Sequence, residues 1–146
     1  MTFDAQAPAA GLPVAAQRLF GARRQSIRHA REFAVGVMDG WGLRRRVEDV
    51  RLCASELASN ALIHGTIHDH RFLVRLDYDG VRLRLEVHDS RGREEGAELR
   101  ARSPRETEPR GRGLLIVAAL ADAWGVEGRR DLGKVVWAHF SGGEER

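Results

Sequence analysis

Apolar residues recur along this chain with two different periods, and the changes of period mark out its elements. From Ala22 to Met38, the residues Ile27, Ala30, Phe33, Ala34 and Val37 fall at intervals of three and four. That spacing lines one face of a helix, and Asp39-Gly40 supplies a stop. After an arginine-rich stretch from Leu43, a second stripe of Val47, Val50, Ala54, Leu57, Ala58 and Ala61 ends near His64-Gly65. A glycine there can take the positive φ that closes a helix. The period then becomes two. Phe72, Val74, Leu76 and Tyr78 alternate with more polar residues, as do Val81, Leu83, Leu85 and Val87, with Asp79-Gly80 between the runs. This predicts a hairpin with a two-residue turn. Its other face carries Arg75, Asp77, Arg82, Arg84 and Glu86, so one side should pack on helices while the other meets water.

Ser90 to Arg110 keeps neither period, and a long irregular segment inside a short chain is more often functional than idle. Gly111-Arg112-Gly113 then opens the apolar run Leu114 to Leu120, a third helix. Trp124 to Glu127 and Val135 to Phe140 read as two closing strands around Gly128 to Gly133. Residues 1–21, rich in alanine and proline at their start, predict an arm or an edge strand, and residues 22–146 one domain. No internal repeat is visible, which excludes a solenoid.

Composition narrows the function classes. A chain of 146 residues fits a single core. With 42% hydrophobic and 31% charged residues, neither global disorder nor a fibre is indicated. The longest apolar run is far short of the roughly 20 residues a membrane span needs. No basic cap followed by an apolar block marks a secretory signal. Cys53 is the only cysteine, so no internal disulfide forms and a cytoplasmic setting is expected. The net charge of +3 rests on arginine, Lys134 being the only lysine, and the basic residues are interspersed with 21 acidic ones. No basic stripe results, so no direct nucleic-acid partner is predicted.

Three segments carry candidate chemistry. On a helix, Glu56, Asn60 and His64 lie one turn apart along one face. A carboxylate and an amide oxygen stacked this way can hold a hard cation such as Mg²⁺. Asp89 stands where the second hairpin strand ends, followed by Ser90-Arg91-Gly92, and can accept a hydrogen bond from an exocyclic amine. Gly111-Arg112-Gly113 at a helix start suits phosphate, because glycines let backbone N–H groups approach and the helix N-terminus favours negative charge. Each alone has a plainer reading: a polar helix edge, a loop-starting aspartate, a hinge. His64, His68, Asp69 and His70 lack the firm spacing of a zinc motif. His88, Asp89 and Ser90 cannot form a hydrolase triad, because adjacent strand residues point to alternate faces.

Order and context decide between the readings. The sequence resembles the GHKL (Bergerat-fold) ATPases over about residues 22–140: Glu56 to Gly65 looks like their N box, Asp89 to Gly92 like a worn G1 box, and Gly111 to Gly113 like the G2 box. Trp41-Gly42-Leu43 and Gly133-Lys134-Val135-Val136-Trp137 look most like the anti-sigma factor serine kinase branch. The resemblance implies an α/β (α+β) two-layer sandwich, a mixed, mostly antiparallel sheet covered on one face by helices. It implies ATP and Mg²⁺ as cofactors, with Asn60 as the magnesium ligand and Glu56 as the catalytic base that activates a serine hydroxyl. Asp89 would bind the adenine amino group, and His64, Gly92, Arg110, Gly111, Arg112, Gly113 and Leu114 would complete the nucleotide site. The partners implied are a sigma factor, an antagonist (anti-anti-sigma, STAS-type) protein and a second copy of the chain. The sequence departs from the pattern where Arg91 and Arg93 stand at glycine positions, and where Lys134 to Phe140 holds no threonine. A catalytically weak or inactive GHKL module that regulates partners by contact is the alternative.

Overall fold

The computed structural model describes residues 13–64, 71–89, 111–129 and 133–141. In chain order these form β1 (Val14–Gly21), α1 (Gln25–Gly40), α2 (Val47–His64), β2 (Arg71–Tyr78), β3 (Arg82–Asp89), α3 (Gly111–Leu120), β4 (Ala123–Arg129) and β5 (Gly133–Ser141). The strands make one sheet in the order β1-β2-β3-β5-β4. All four pairings are antiparallel, so the parallel pairing that would make the sheet mixed is not found among the described residues.

Alternation fixes which side of the sheet is covered. Phe20, Phe72, Val74, Leu76, Leu83, Leu85, Val87, Ala138 and Phe140 are buried on one face, against Ala30, Phe33, Val37, Val50, Leu57 and Ala58 of the helices. Helix α2 packs between α1 and α3 and lies over β2 and β3, while α1 covers β1 and β2. The opposite face carries a polar ladder in which Arg84 Nε donates to Glu86 Oε2 (2.6 Å) and the Arg84 guanidinium stands 4.8 Å over the Trp137 ring. On this outer face Trp137 lies opposite Gly125, where an added Cβ would come within 2.7 Å of the indole.

Two boundaries differ from the sequence reading. Helix α1 runs through Asp39-Gly40 and stops at Gly42, whose φ of +78° only glycine adopts without strain. Gly42 N–H donates to Asp39 O (3.1 Å) and Leu43 N–H to Met38 O (2.8 Å), with Leu43 and Met38 both buried, which is the Schellman arrangement. In the hairpin the central residues are Gly80 and Val81, one place later than expected. Asp79 Oδ1 accepts from the Val81 and Arg82 amides (2.9 and 2.8 Å), fixing Asp79 as the residue that opens the turn, and Val81 is left 70% exposed rather than facing the core.

Between α1 and α2, Arg46 holds a φ of +69°, an uncommon conformation for a residue with a side chain. Its guanidinium donates to Asp49 Oδ2 (3.0 Å), Asp122 Oδ2 (3.2 Å) and Leu120 O (2.7 Å), and lies 5.3 Å from the Phe140 ring. One side chain thus caps the C-terminal end of α3, where a cation also complements the helix dipole. Among the described residues no helix is long and apolar enough to cross a membrane.

Candidate functional site

Helix α2 presents Glu56 and Asn60 on the side toward α3, because the apolar stripe from Val50 to Ala61 turns the opposite side to the sheet. Helix α3 begins against them. A Cβ added at Gly113 would lie 2.9 Å from Glu56 Oε1, 3.7 Å from Glu56 Cβ and 3.8 Å from Asn60 Oδ1. A side chain at this position would have to displace the Glu56 carboxylate, the movable end of its side chain, and the absence of one lets the first turn of α3 reach the Glu56–Asn60 face. Asn60 is nearly buried.

The chemistry of this cluster follows from its parts. Two side-chain oxygen donors one helical turn apart suit Mg²⁺, which takes oxygen ligands and keeps several waters or phosphate oxygens. The first turn of α3 supplies amides without intrahelical partners and the positive end of a helix dipole, both suited to phosphate. The residues present fit a magnesium-bound polyphosphate at this end of the site.

Asp89 is the last residue of β3 and is 2% exposed, on the helix-facing side of the sheet. Its register partners are Phe72 on β2 and Lys134 on β5, so a carboxylate stands beside an aromatic wall and a lysine. His88 points to the outer face, where its Nε2 lies 2.7 Å from Glu86 Oε1. The two neighbours thus face opposite ways, as a strand requires.

Leu114 is buried in the core, so any contact it makes with a ligand comes from its backbone. Gly111, Arg112 and His64 lie in helices whose backbone is described there, but the side chains of Arg112 and His64 are not among those described; Gly92 and Arg110 lie outside the described residues, as do Arg91, Arg93, His68, Asp69 and His70. Among the described residues no group of three or more His, Cys, Asp or Glu side chains converges on a metal position. Burial, reinforced by the Asp49 carboxylate, pushes the Cys53 thiol up to about 12, so it stays protonated and unreactive. A cleft of about 330 Å³ lined by Arg18, His29, Glu32, Phe33 and Gly36 lies between β1 and α1 and contains none of the site residues.

Lys134 is the residue whose place sequence reasoning did not connect with the site. Its position opposite Asp89 depends on β3 pairing with β5 across an intervening helix and strand, which spacing along the chain does not reveal.

Residues 20–140 match the family described as the histidine kinase-like ATPase domain. Among solved structures the chain is similar to the RsbU and RsbW domains of Rv1364c from Mycobacterium tuberculosis, at 18% identity and a TM-score of 0.59. The likeness covers 90% of this chain but 32% of that one, and at this identity it shows a shared fold. No curated protein matches.

Proposed function

Because the chain belongs to the histidine kinase-like ATPase domain family, we propose that it binds Mg²⁺-ATP and acts as an anti-sigma factor-type serine kinase. In this reading it phosphorylates a serine of an antagonist protein and, when not so engaged, sequesters a sigma factor, as a homodimer in the cytoplasm. The observation that supports it most is the approach of Gly113 to Glu56 Oε1 and Asn60 Oδ1, which joins two sequence-distant boxes into one cluster.

Bound there, Mg²⁺-ATP supplies the phosphoryl group and most of the charge neutralisation that its transfer needs. The protein's part is positioning and proton removal. Asn60 Oδ1 holds the cation, and the amides of Gly111, Gly113 and Leu114 face the phosphates. Glu56 accepts the proton of the incoming serine hydroxyl as a general base. Asp89 accepts a hydrogen bond from the amino group of the base, while Phe72 forms part of the apolar surround. His64, Gly92, Arg110 and Arg112 are assigned to the same nucleotide site, the arginines opposing phosphate charge.

Phosphate transfer from labelled ATP to the antagonist tests this reading. Glu56→Ala should abolish transfer while leaving ATP bound, and Asn60→Ala should remove magnesium-dependent binding; transfer unchanged in both variants refutes the roles. A second reading, in which the module regulates by contact alone, is favoured by Arg91 and Arg93 at positions where close backbone approach calls for glycine. Tight ATP binding with no transfer to any partner supports that one.

A further inference from the structure

The end of the site assigned to the base holds a second charge. Lys134, the only lysine of the chain, is the second residue of β5 and is 6% exposed; Asp89, directly opposite on β3, is 2% exposed. Both lie on the helix-facing side, flanked by Phe72 on β2 and Gly128 on β4. Side chains directly opposite on one face of an antiparallel pair start about 5 Å apart at Cβ. A buried ammonium persists only where a counter-charge or several acceptors meet it. The register places the Asp89 carboxylate there.

We infer that Lys134 is a built-in competitor for the base-reading carboxylate, and that it sets the affinity and base selectivity of the nucleotide site. This rests on the ATP-binding reading above. A carboxylate offers two oxygens with about four lone-pair sites, and an ammonium carries three donors. With Lys134 in place the buried negative charge is opposed before any ligand arrives, so a base amino group gains less by reaching it than it would from an uncompensated carboxylate. Without the ammonium, Asp89 is costly in the free protein, and that cost is recovered when an amino group binds. The ammonium also donates to a carbonyl. A base carrying an oxygen where adenine has its amino group is therefore tolerated only while Lys134 is present.

The test is calorimetric titration of Mg²⁺-ATP and Mg²⁺-ITP into wild type, Lys134→Met and the double variant Lys134→Met/Asp89→Asn, with thermal midpoints of the free proteins. Lys134→Met should bind ATP about tenfold tighter than wild type, discriminate more strongly against ITP, and melt lower when unliganded; the double variant should lose the gain. Equal or weaker ATP binding by Lys134→Met, with wild type binding normally, overturns the inference and leaves the ATP reading standing. No nucleotide binding by any of the three proteins removes the ATP reading and this inference together. Should Lys134→Met fail to fold, wild type labelled with ¹⁵N-lysine gives a single side-chain ammonium signal. That signal must shift on saturation with ATP, and an unmoved signal overturns the inference.

Discussion

A missing side chain can matter through the space it leaves rather than through backbone conformation. Gly113 has an ordinary backbone, but an added methyl meets Glu56 Oε1 at 2.9 Å and would displace that carboxylate. Gly113→Ala should therefore swing the Glu56 carboxylate from its place and slow phosphate transfer about tenfold or more, while stability stays within about 1 kcal/mol of wild type; transfer assays and urea unfolding read the two effects. Glu86 makes a different kind of prediction. The hydrogen bond with His88, and then the one from Arg84, hold its carboxyl down at about 2 against an ordinary 4.5, overcoming the opposing effect of burial. Because the folded-state value is depressed, the stability it contributes is complete above pH 4.5 and is lost as pH falls toward about 2. In Glu86→Gln the thermal midpoint should fall less steeply across that window than in wild type; parallel curves would contradict the assignment. At this scale Glu56, Asn60 and Gly113 were legible in the sequence, because a helical repeat of four and a Gly-x-Gly start are local patterns. The Asp89–Lys134 juxtaposition was not, since it is made by strand pairing.

Among the elements, the seven segments read as helices or strands from Ala22 to Phe140 were all recognisable, and their interiors coincide with the observed helices and strands. The ends were less so. Asp39-Gly40 looked like the close of α1, yet the chain remains helical through it because the next glycine, Gly42, can take φ +78° while Leu43 packs beside Met38. Nothing lies within 4 Å of a Cβ at Gly42, so Gly42→Ala isolates the backbone cost. It should lower unfolding free energy in urea by about 1 kcal/mol without changing nucleotide affinity. Val81 was misplaced for a related reason: alternation assigned it inward, but the side chain of Asp79 captured the following amides and set the turn one residue later.

At the scale of the whole molecule, helices cover one face of an antiparallel sheet, the Glu56–Asn60 face of α2 meets the start of α3, and α3 is anchored at its far end. Arg46 ties the α1–α2 connection to Leu120 O and Asp122, and these ties compensate its own positive φ. Arg46→Ala should cost about 2 kcal/mol, seen as a lower urea midpoint, and because α3 is released should also weaken ATP binding. Architecture was readable from the sequence to the level of layers and of a mostly antiparallel sheet. The strand order, and with it the neighbour of Asp89, required the structure. The central claim is that Asn60 and Glu56 of α2 and the glycine-opened start of α3 form a single magnesium-triphosphate site. Calorimetric titration of ATP with and without Mg²⁺ into wild type and Asn60→Ala tests it most directly. Wild type should bind with a clear magnesium dependence that Asn60→Ala loses; equal affinity in both proteins, with or without the cation, would contradict the account.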